Sequence, residues 1–260
     1  MLAGPRGGAR YLRNGRAVPV TDELFREDAA LLECRARVLA AGAHGVRLDR
    51  TVFYPQGGGQ AGDAGALQLD DGRILTVIDT RKGEAPGEIL HLLAEGSDLT
   101  GLRPGTELTA RINAARRRAH MRFHTATHLL CALVPHAVNG CSITAGYARL
   151  DFHMNEPLDK EALSAGIARL VAEAHPVRHR WISEAELDAN PQLVRSMSVQ
   201  PPRGQGRVRV LEIEGVDLQP CGGTHVANTA DIGAVIVTKV EKKSAMTRRV
   251  ILGFAEAAEG

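Results

Sequence analysis

The chain has 260 residues, of which 44% are hydrophobic, 24% charged and 3% aromatic, and its formal net charge is +2. These values predict an ordinary soluble globular protein of one large or two smaller domains, and 4 cysteines in a chain of this size do not suggest a disulfide scaffold. No apolar run approaches the ~20 residues that a membrane-spanning helix needs, and no signal-peptide core opens the chain. A cytoplasmic location is therefore expected.

The first half of the chain predicts a small barrel. Residues 1–20, rich in Gly, Arg and Pro, show no periodicity and are expected to form a flexible extension. Short strand-like stretches then follow at even spacing, separated by turn signals. They lie at 31–38, 45–53, 66–69, 73–78, 88–93 and 107–112. Such a series with little helix predicts a small β-barrel over residues 21–110.

Three consecutive glycines interrupt this series of strands. Gly57, Gly58 and Gly59 precede Gln60 in the stretch FYPQGGGQAGD at 53–63. A glycine run forbids regular structure and lets the backbone approach another group closely. The stretch is therefore either a tight connection between strands or a loop facing a ligand, with Gly58 and Gly59 as candidate substrate contacts.

After residue 112 the hydrophobic period changes from two to about 3.6. A long helix is predicted from the N-cap Asn113 to Val134, because Pro135 ends it. Its buried stripe is expected at Ala115, Ala119, Ala126, Leu129, Leu130 and Leu133. Strands at 147–153, 207–213, 232–240 and 249–254 and helices at 158–174 and 184–189 follow. Residues 111–260 thus predict an α+β domain in which the long helix packs on an antiparallel sheet.

Two pairs of residues carry the candidate metal chemistry. His124 and His128 stand four residues apart, so both imidazoles leave one helical face, one turn apart. Cys221 and His225 flank two glycines and a threonine, and the glycines let that loop fold tightly. Either pair alone is more often structural, but together they favour one metal site. Three imidazoles and one thiolate suit zinc better than magnesium or calcium, which prefer oxygen.

Two residues near His124 bear on the function of the site and on its set of ligands. A metalloprotease helix carries a glutamate directly after its first histidine as general base, whereas Thr125 occupies that position here. The protease hypothesis therefore loses its mechanism. His120, one turn before the first ligand, is expected at the surface or beside the ligands.

Three motifs together resemble a known family. HTATHLL at 124–130, CGGTH at 221–225 and FYPQGGGQAGD at 53–63 are similar to the editing domain of alanyl-tRNA synthetase and its free-standing relatives, the AlaX-type alanyl-tRNA editing proteins. The resemblance runs from about Asp22 to the C-terminus. The chain is too short to hold an aminoacylation domain as well, so the free-standing form of medium length is implied.

The resemblance implies a zinc-dependent deacylase that acts in trans. It would hydrolyse the ester between alanine tRNA and a wrong amino acid, chiefly serine, with glycine as a further candidate. The implied ligands of one Zn²⁺ ion are His124, His128, Cys221 and His225. The implied fold is a β-barrel of translation-factor type followed by the editing domain shared with threonyl-tRNA synthetases. Thr144 falls where some members contact the serine hydroxyl, and a role in a turn is its alternative.

The catalytic and tRNA-binding groups are less clearly marked. Neither of the two metal-ligand motifs, HTATHLL and CGGTH, contains an Asp or Glu that could act as general base. Thr125, Gln60 and the terminal hydroxyl of the tRNA are therefore candidates to position water. Basic residues near the motifs predict contacts with tRNA phosphates, with a solvated charged face as the alternative. They are Arg116, Arg117, Arg118, Lys242 and Lys243. Two other functions stay open, a non-catalytic zinc-stabilised tRNA-binding module and a small-ester or peptide hydrolase.

Overall fold

The computed structural model describes residues 10–13, 16–197, 200–201 and 206–255. Of the predicted flexible extension, residues 1–9 and 14–15 lie outside the described residues. The described remainder contains two short strands, β1 (Arg10–Arg13) and β2 (Arg16–Pro19), which pair antiparallel where the sequence predicts no strand. No helix in the described part of the chain is long and apolar enough to span a membrane.

Within its described ranges the chain divides into two compact units. The first comprises Met1–Gly57 and Gly62–Arg117, and the second comprises Gly58–Ala61 and Arg118–Gly260. The boundary thus falls inside the long helix, rather than at the division between residues 110 and 111 that the sequence predicts. Part of the glycine-rich stretch belongs to the second unit, because the backbone of Gly59 and Ala61 pairs with Ile143.

A closed six-stranded barrel forms the first unit. Its strands are β4 (Glu33–Gly42), β5 (Gly45–Leu48), β7 (Gly65–Leu69), β8 (Ile74–Lys82), β9 (Ile89–Leu93) and β10 (Glu107–Ile112). Around the barrel the order is β10-β4-β5-β9-β8-β7, and each pairing is antiparallel. Two further strands, β3 (Asp22–Glu23) and β6 (Arg50–Thr51), pair in parallel beside a 3-10 turn at Leu24–Arg26. The predicted barrel is confirmed, and its assignment to the translation-factor type stays a prediction.

Alternation along the strands explains the core of the barrel. On β8, Leu75 and Val77 are buried, whereas Ile74 and Thr76 are exposed. Successive side chains of a strand point to opposite faces, so one set of alternate residues fills the interior. Aliphatic side chains dominate that interior, as the low aromatic content predicts.

The described residues of the second unit form three helices and two antiparallel sheets. The helices are α1 (Ala114–Leu133), of which the unit takes the part from Arg118 onward, α2 (Lys160–Ala172) and α3 (Glu184–Ala189), with 3-10 turns at Pro191–Leu193 and Thr229–Ile232. One sheet consists of β11 (Val138–Ile143), β12 (Ala148–His153), β17 (Thr247–Phe254) and β16 (Val235–Ser244), in that order. The other consists of β13 (Val177–Ser183), β14 (Arg207–Ile213) and β15 (Asp217–Pro220).

The long helix begins and ends close to the predicted residues. The side chain of Asn113 accepts a hydrogen bond from the amide of Arg116 (3.0 Å), as an N-cap does. Its buried stripe differs from the prediction at both ends, because Ala115 is exposed and Leu133 is half-buried. Towards its middle, the helix buries a set of apolar side chains in one cluster with residues of α2 and of both sheets. These are Phe123, Ala126, Leu129 and Leu130.

Candidate metal centre

The long helix α1 presents His124 and His128 one turn apart. Their ring centroids lie 5.6 Å apart, and both side chains are buried. Neither glycine nor proline interrupts the helix, so the spacing of four residues places both rings on one face. The buried neighbours Phe123 and Leu130 hold this part of the helix against the core.

Cys221 and His225 belong to a loop that follows β15. The amide of Cys221 donates to the carbonyl of Arg209 (3.1 Å), so the loop leaves the sheet in register with β14. The buried guanidinium of Arg209 donates to the carbonyl oxygens of Cys221 (2.9 Å) and Gly223 (3.1 Å). These bonds close the loop. The Sγ atom of Cys221 consequently lies 3.1 Å from Nε2 of His225 and 3.5 Å from Nε2 of His124.

Four possible ligand atoms converge at this point. His124, His128, Cys221 and His225 each offer one, and these atoms all lie within 4.8 Å of one another. The structure therefore brings together the two motifs that the sequence places almost a hundred residues apart. His120 is not among the four, and it is fully buried rather than at the surface.

Gly223 has to be glycine for the loop to approach the helix. A Cβ atom at this position would lie 2.1 Å from Cε1 of His124 and 2.9 Å from Oε1 of Gln60. Both distances are shorter than real Cβ contacts allow. The missing side chain thus makes room for a ligand imidazole, which agrees with the tight loop expected from the sequence.

A buried carboxylate orients His128. The Nδ1 atom of His128 donates to Oδ2 of Asp217 (2.8 Å), whose side chain is completely buried. The amide of Gln219 donates to both oxygens of the same carboxylate (3.0 and 2.9 Å). A carboxylate on one ring nitrogen leaves the other ring nitrogen as the donor towards a metal, a common arrangement in metalloproteins.

The other two imidazoles have different partners. The Nδ1 atom of His124 donates to Oε1 of Gln60 (2.8 Å), which also accepts from the amide of Thr224 (3.2 Å). The Nδ1 atom of His225 lies 3.3 Å from Oγ1 of Thr125, which donates to a backbone carbonyl one turn back. Gln60 and Thr125, predicted to position water, therefore use their polar atoms to hold the two histidines.

Burial and charge set the protonation of the cluster. Burial alone would raise the pKa of the Cys221 thiol, but its interactions with the neighbouring imidazoles, His124 above all, outweigh it and hold that pKa well below its usual value. Burial lowers the pKa of His225 to about 3. Burial also lowers the pKa of His128, yet Asp217 and Cys221 outweigh it and raise that pKa to about 10. Metal binding at His128 would therefore release a proton.

The donor set fits a metal ion. A thiolate and three ring nitrogens converge from rigid elements, and each imidazole keeps its Nδ1 atom on a neighbouring oxygen. A low pKa keeps the thiol in the thiolate form that binds metals. The cluster can thus hold a metal ion.

The predicted substrate contacts have local roles. The hydroxyl of Thr144 donates to the carbonyl of Tyr147 (3.1 Å) and accepts from the amides of Gly146 and Tyr147 (3.2 and 3.1 Å). This uses its whole hydrogen-bonding capacity in a turn, so the alternative role expected from the sequence is the one the structure supports. Gly59 has a positive φ of 86°, and its Cβ would lie 2.6 Å from Sγ of Cys141. Packing therefore explains this glycine. Gly58 is exposed, with φ of 58°.

The predicted tRNA contacts separate into three groups. Arg117 is buried, pairs with Asp63 and donates to the carbonyl of Val52, so it cannot contact phosphate and its prediction is wrong. Arg116 is half-buried and donates to a carbonyl of the glycine-rich stretch. The remaining side chains are exposed. They are Arg118, Lys242 and Lys243.

Sequence reasoning missed two residues that hold the cluster, Asp217 and Arg209. A signal for the first was present, because Asp217, Gln219 and Cys221 alternate along a strand and so share one face. The alternation of Arg209 with Val208 and Val210 in strand β14 predicts that this arginine points outward. Only the tertiary structure places its guanidinium on the loop carbonyls.

Comparisons with known proteins find similar sequences among tRNA synthetases and alanyl-tRNA editing proteins. A family model described as the threonyl and alanyl tRNA synthetase second additional domain matches residues 208–251. The alanyl-tRNA editing protein AlaX-M of Methanosarcina barkeri is 34% identical over 212 residues, which cover 79% of this chain and 86% of that protein. The AlaX-M protein of Saccharolobus solfataricus is 31% identical over 236 residues, covering 89% and 98%.

A much longer protein is also similar. The alanine–tRNA ligase of Thermococcus kodakarensis is 33% identical over 252 residues. These cover 93% of this chain but 26% of the ligase, so the chain spans about a quarter of that relative. The matched region is therefore a small part of the length of the ligase but most of the length of each free-standing editing protein.

Proposed function

We propose a function from one premise: the chain belongs to the AlaX-M family of alanyl-tRNA editing proteins, which it matches over most of its own length and theirs. It hydrolyses the ester that links a wrong amino acid to alanine tRNA. Serine is the leading substrate and glycine the second. Such an activity belongs in the cytoplasm, where tRNA is charged and used.

The observation that carries this proposal is the convergence of His124, His128, Cys221 and His225. Three imidazole nitrogens and one thiolate form a donor set typical of zinc, whereas magnesium and calcium prefer oxygen ligands. One Zn²⁺ ion per chain is therefore the proposed cofactor. When bound, zinc supplies a Lewis acid that orients the aminoacyl group and polarises its ester carbonyl.

The protein's own residues hold that centre rigid. Gln60, Asp217 and Thr125 each keep one imidazole in a single orientation. Gly223 provides the space that the ring of His124 occupies. We assign these four residues to positioning, since none of them is itself one of the four converging donors.

Discrimination against alanine is the purpose of such a site. An aminoacylation pocket for alanine cannot strongly reject serine, which adds only a hydroxyl. A second site that hydrogen-bonds the hydroxyl rejects alanine, because alanine leaves its polar groups unpaired, and this selectivity can reach ~10⁴. Activity on seryl-tRNA above that on correctly charged alanyl-tRNA is therefore the expected signature.

Three exposed basic residues are the proposed contacts with tRNA phosphates. Arg118 stands on α1, six residues before His124, and Lys242 and Lys243 stand near the end of β16. Lysine and arginine neutralise phosphates and release counterions from the nucleic acid. Arg116 is a weaker candidate, because its guanidinium already donates to the carbonyl of Gly62.

A deacylation assay tests the proposal. Alanine tRNA charged with serine, glycine or alanine is incubated with the zinc-loaded protein and with its Cys221→Ala and Cys34→Ala variants. We expect rapid release of serine by the unaltered protein and by Cys34→Ala, which lies in the barrel, and loss of activity in Cys221→Ala. Equal rates on seryl- and alanyl-tRNA would reject proofreading.

The same assay separates the alternatives. A non-catalytic zinc-stabilised tRNA-binding module would bind tRNA without releasing any amino acid, and its fold would collapse in Cys221→Ala. A small-ester or peptide hydrolase would turn over substrates that lack tRNA. The names of the relatives do not favour either alternative.

A further inference from the structure

One row of side chains leads across the sheet of β13, β14 and β15 from the metal cluster to an indole. Trp181 is the direct cross-strand partner of Arg209. Cys221 takes the position opposite Arg209 on its other side, where its amide donates to the Arg209 carbonyl (3.1 Å). Directly opposed residues of antiparallel strands project to the same face. The indole, the guanidinium and the thiol therefore stand side by side.

The pairing of β14 with β15 identifies this face independently. Ile213 and Arg209 are four residues apart on β14, so they share a face. Asp217 is the cross-strand partner of Ile213 and receives the hydrogen bond of His128. The face that supports the metal ligands is thus the face on which Trp181 stands.

The spacing in this row follows from strand geometry. Because Arg209 directs its backbone polar groups towards Cys221, its pairing with Trp181 is of the non-hydrogen-bonded kind. The Cα atoms of the two kinds of pair lie about 4.5 and 5.5 Å apart. The Cα atom of Trp181 therefore lies about 10 Å from the Cα atom of Cys221.

The indole is part of a cationic stacking pair. The guanidinium carbon of Arg207 lies 4.3 Å from the centroid of the Trp181 ring. Trp181 is half-buried and Arg207 is exposed, so the pair faces solvent at the edge of the sheet. Aromatic rings and guanidinium planes are the groups on which proteins stack unpaired bases of RNA, and an arginine also neutralises phosphate.

We propose that Trp181 and Arg207 bind the unpaired terminal purine nucleotide of the tRNA acceptor end. The base stacks on the indole–guanidinium pair, and its ribose then carries the aminoacyl ester towards Cys221 and the other donors. This inference rests on the proposed function, because only a charged tRNA needs both sites at once. A pair that merely stabilises the edge of the sheet is the alternative that the experiment has to exclude.

Fluorescence gives a direct test, since Trp181 is the only tryptophan of the chain. The full-length, zinc-loaded protein is titrated with an alanine acceptor minihelix ending in CCA, and with the same minihelix lacking its terminal adenosine. We expect quenching of the indole emission by the first and none by the second. Equal quenching by both, or no quenching while the anisotropy of a labelled minihelix shows binding, overturns the inference.

Kinetics on seryl-tRNA provide the second test. Trp181→Leu and Arg207→Ala should each raise KM roughly ten- to hundredfold, the effect expected of lost base stacking. Arg207→Ala removes an exposed side chain, so it remains informative if Trp181→Leu folds poorly. The matched control is Arg178→Ala, an exposed arginine of the same sheet on the opposite face, whose KM should equal that of the unaltered protein.

The two proposals fail in different ways. Absence of deacylation by the unaltered protein rejects the proposed function and the nucleotide site with it. Deacylation with an unchanged KM in both variants rejects only the nucleotide site and leaves the editing activity standing.

Discussion

The carboxylate of Asp217 accepts a hydrogen bond from Nδ1 of His128 at 2.8 Å, inside a fully buried environment. Gln219 donates to both carboxylate oxygens and keeps them in place. A carboxylate behind a metal-binding imidazole fixes its orientation and increases its basicity. The charge of one residue that is not a ligand thus contributes to the strength of the proposed zinc site.

Asp217→Asn should weaken zinc binding about 10- to 100-fold, because the amide oxygen can still accept the hydrogen bond but carries no charge. Competition with a chromophoric chelator measures the affinity. Asp151→Asn is the control, since that carboxylate pairs with Arg249 and not with a cluster histidine. Equal zinc affinity of Asp217→Asn and the unaltered protein would contradict the assigned role.

Gly223→Ala should abolish stoichiometric zinc binding while most of the fold remains. The new methyl group would lie 2.1 Å from Cε1 of His124, so the ring or the loop has to move away. Metal content after dialysis and circular dichroism together measure this outcome. The control is Gly42→Ala, where a Cβ meets nothing within 4 Å. A Gly223→Ala protein with one tightly bound zinc would show that the loop tolerates a side chain.

Arg117→Ala should destabilise the protein by about 3–5 kcal/mol, because it leaves the buried carboxylate of Asp63 without its partner. Chemical denaturation measures the free energy of unfolding. Arg111→Ala removes an exposed arginine from its pair with Glu33 and should cost at most about 1 kcal/mol. Similar losses in both variants would argue against a structural role for Arg117.

Removing the exposed basic residues should weaken tRNA binding and leave stability nearly unchanged, whereas Arg117→Ala is expected to reduce stability. Arg118→Ala, Lys242→Ala and Lys243→Ala, combined in one protein, should leave unfolding nearly unchanged but weaken tRNA binding. Each lost phosphate contact should reduce the slope of log affinity against log salt by about 1. Binding at several salt concentrations measures that slope. An unaltered slope would show that these three side chains are only a solvated face.

His91 should make the barrel sensitive to acid. Burial lowers the pKa of this imidazole to about 4, from its ordinary 6.5, while Nε2 lies 2.8 Å from Oγ1 of Thr51. Above pH 6.5 the ring is neutral in both states, so its contribution to stability is fully present. As the pH falls from 6.5 towards 4, the unfolded chain takes up a proton that the folded chain does not, and stability is lost.

The expected loss from His91 is about 3 kcal/mol between these pH values. Denaturation at pH 7.5 and pH 4.5 measures it, and His91→Gln is the comparison. The variant is expected to be less stable at neutral pH but to lose less stability on acidification. Parallel pH profiles for the two proteins would assign the acid sensitivity to other groups.

Adjacent arginines show where prediction from sequence stops. Arg117 and Arg118 are adjacent residues of the same type and charge. Arg117 is nevertheless buried against Asp63, whereas Arg118 is exposed. Helical periodicity places them on different faces, but it does not reveal which face meets an acidic partner. The carboxylate that decides this lies more than fifty residues earlier in the chain.

Local patterns, by contrast, predicted much of the fold and of the centre. The N-cap Asn113 and Pro135 bracket α1 as expected, and alternation marked the strands of the barrel. His124 and His128 could be paired because a helix repeats every 3.6 residues. These features depend on residues close together in sequence, so the sequence contains the information directly.

By itself, the sequence determined the four candidate ligands, the glycines that admit them and the family to which the chain is similar. Only the tertiary structure decided what surrounds the ligands: Asp217 behind His128, Gln60 behind His124, and Trp181 across the sheet. The physical reason is that a ligand set is recognised by residue type and short spacing. A hydrogen-bond partner or a neighbour across a sheet depends on register and packing between distant segments.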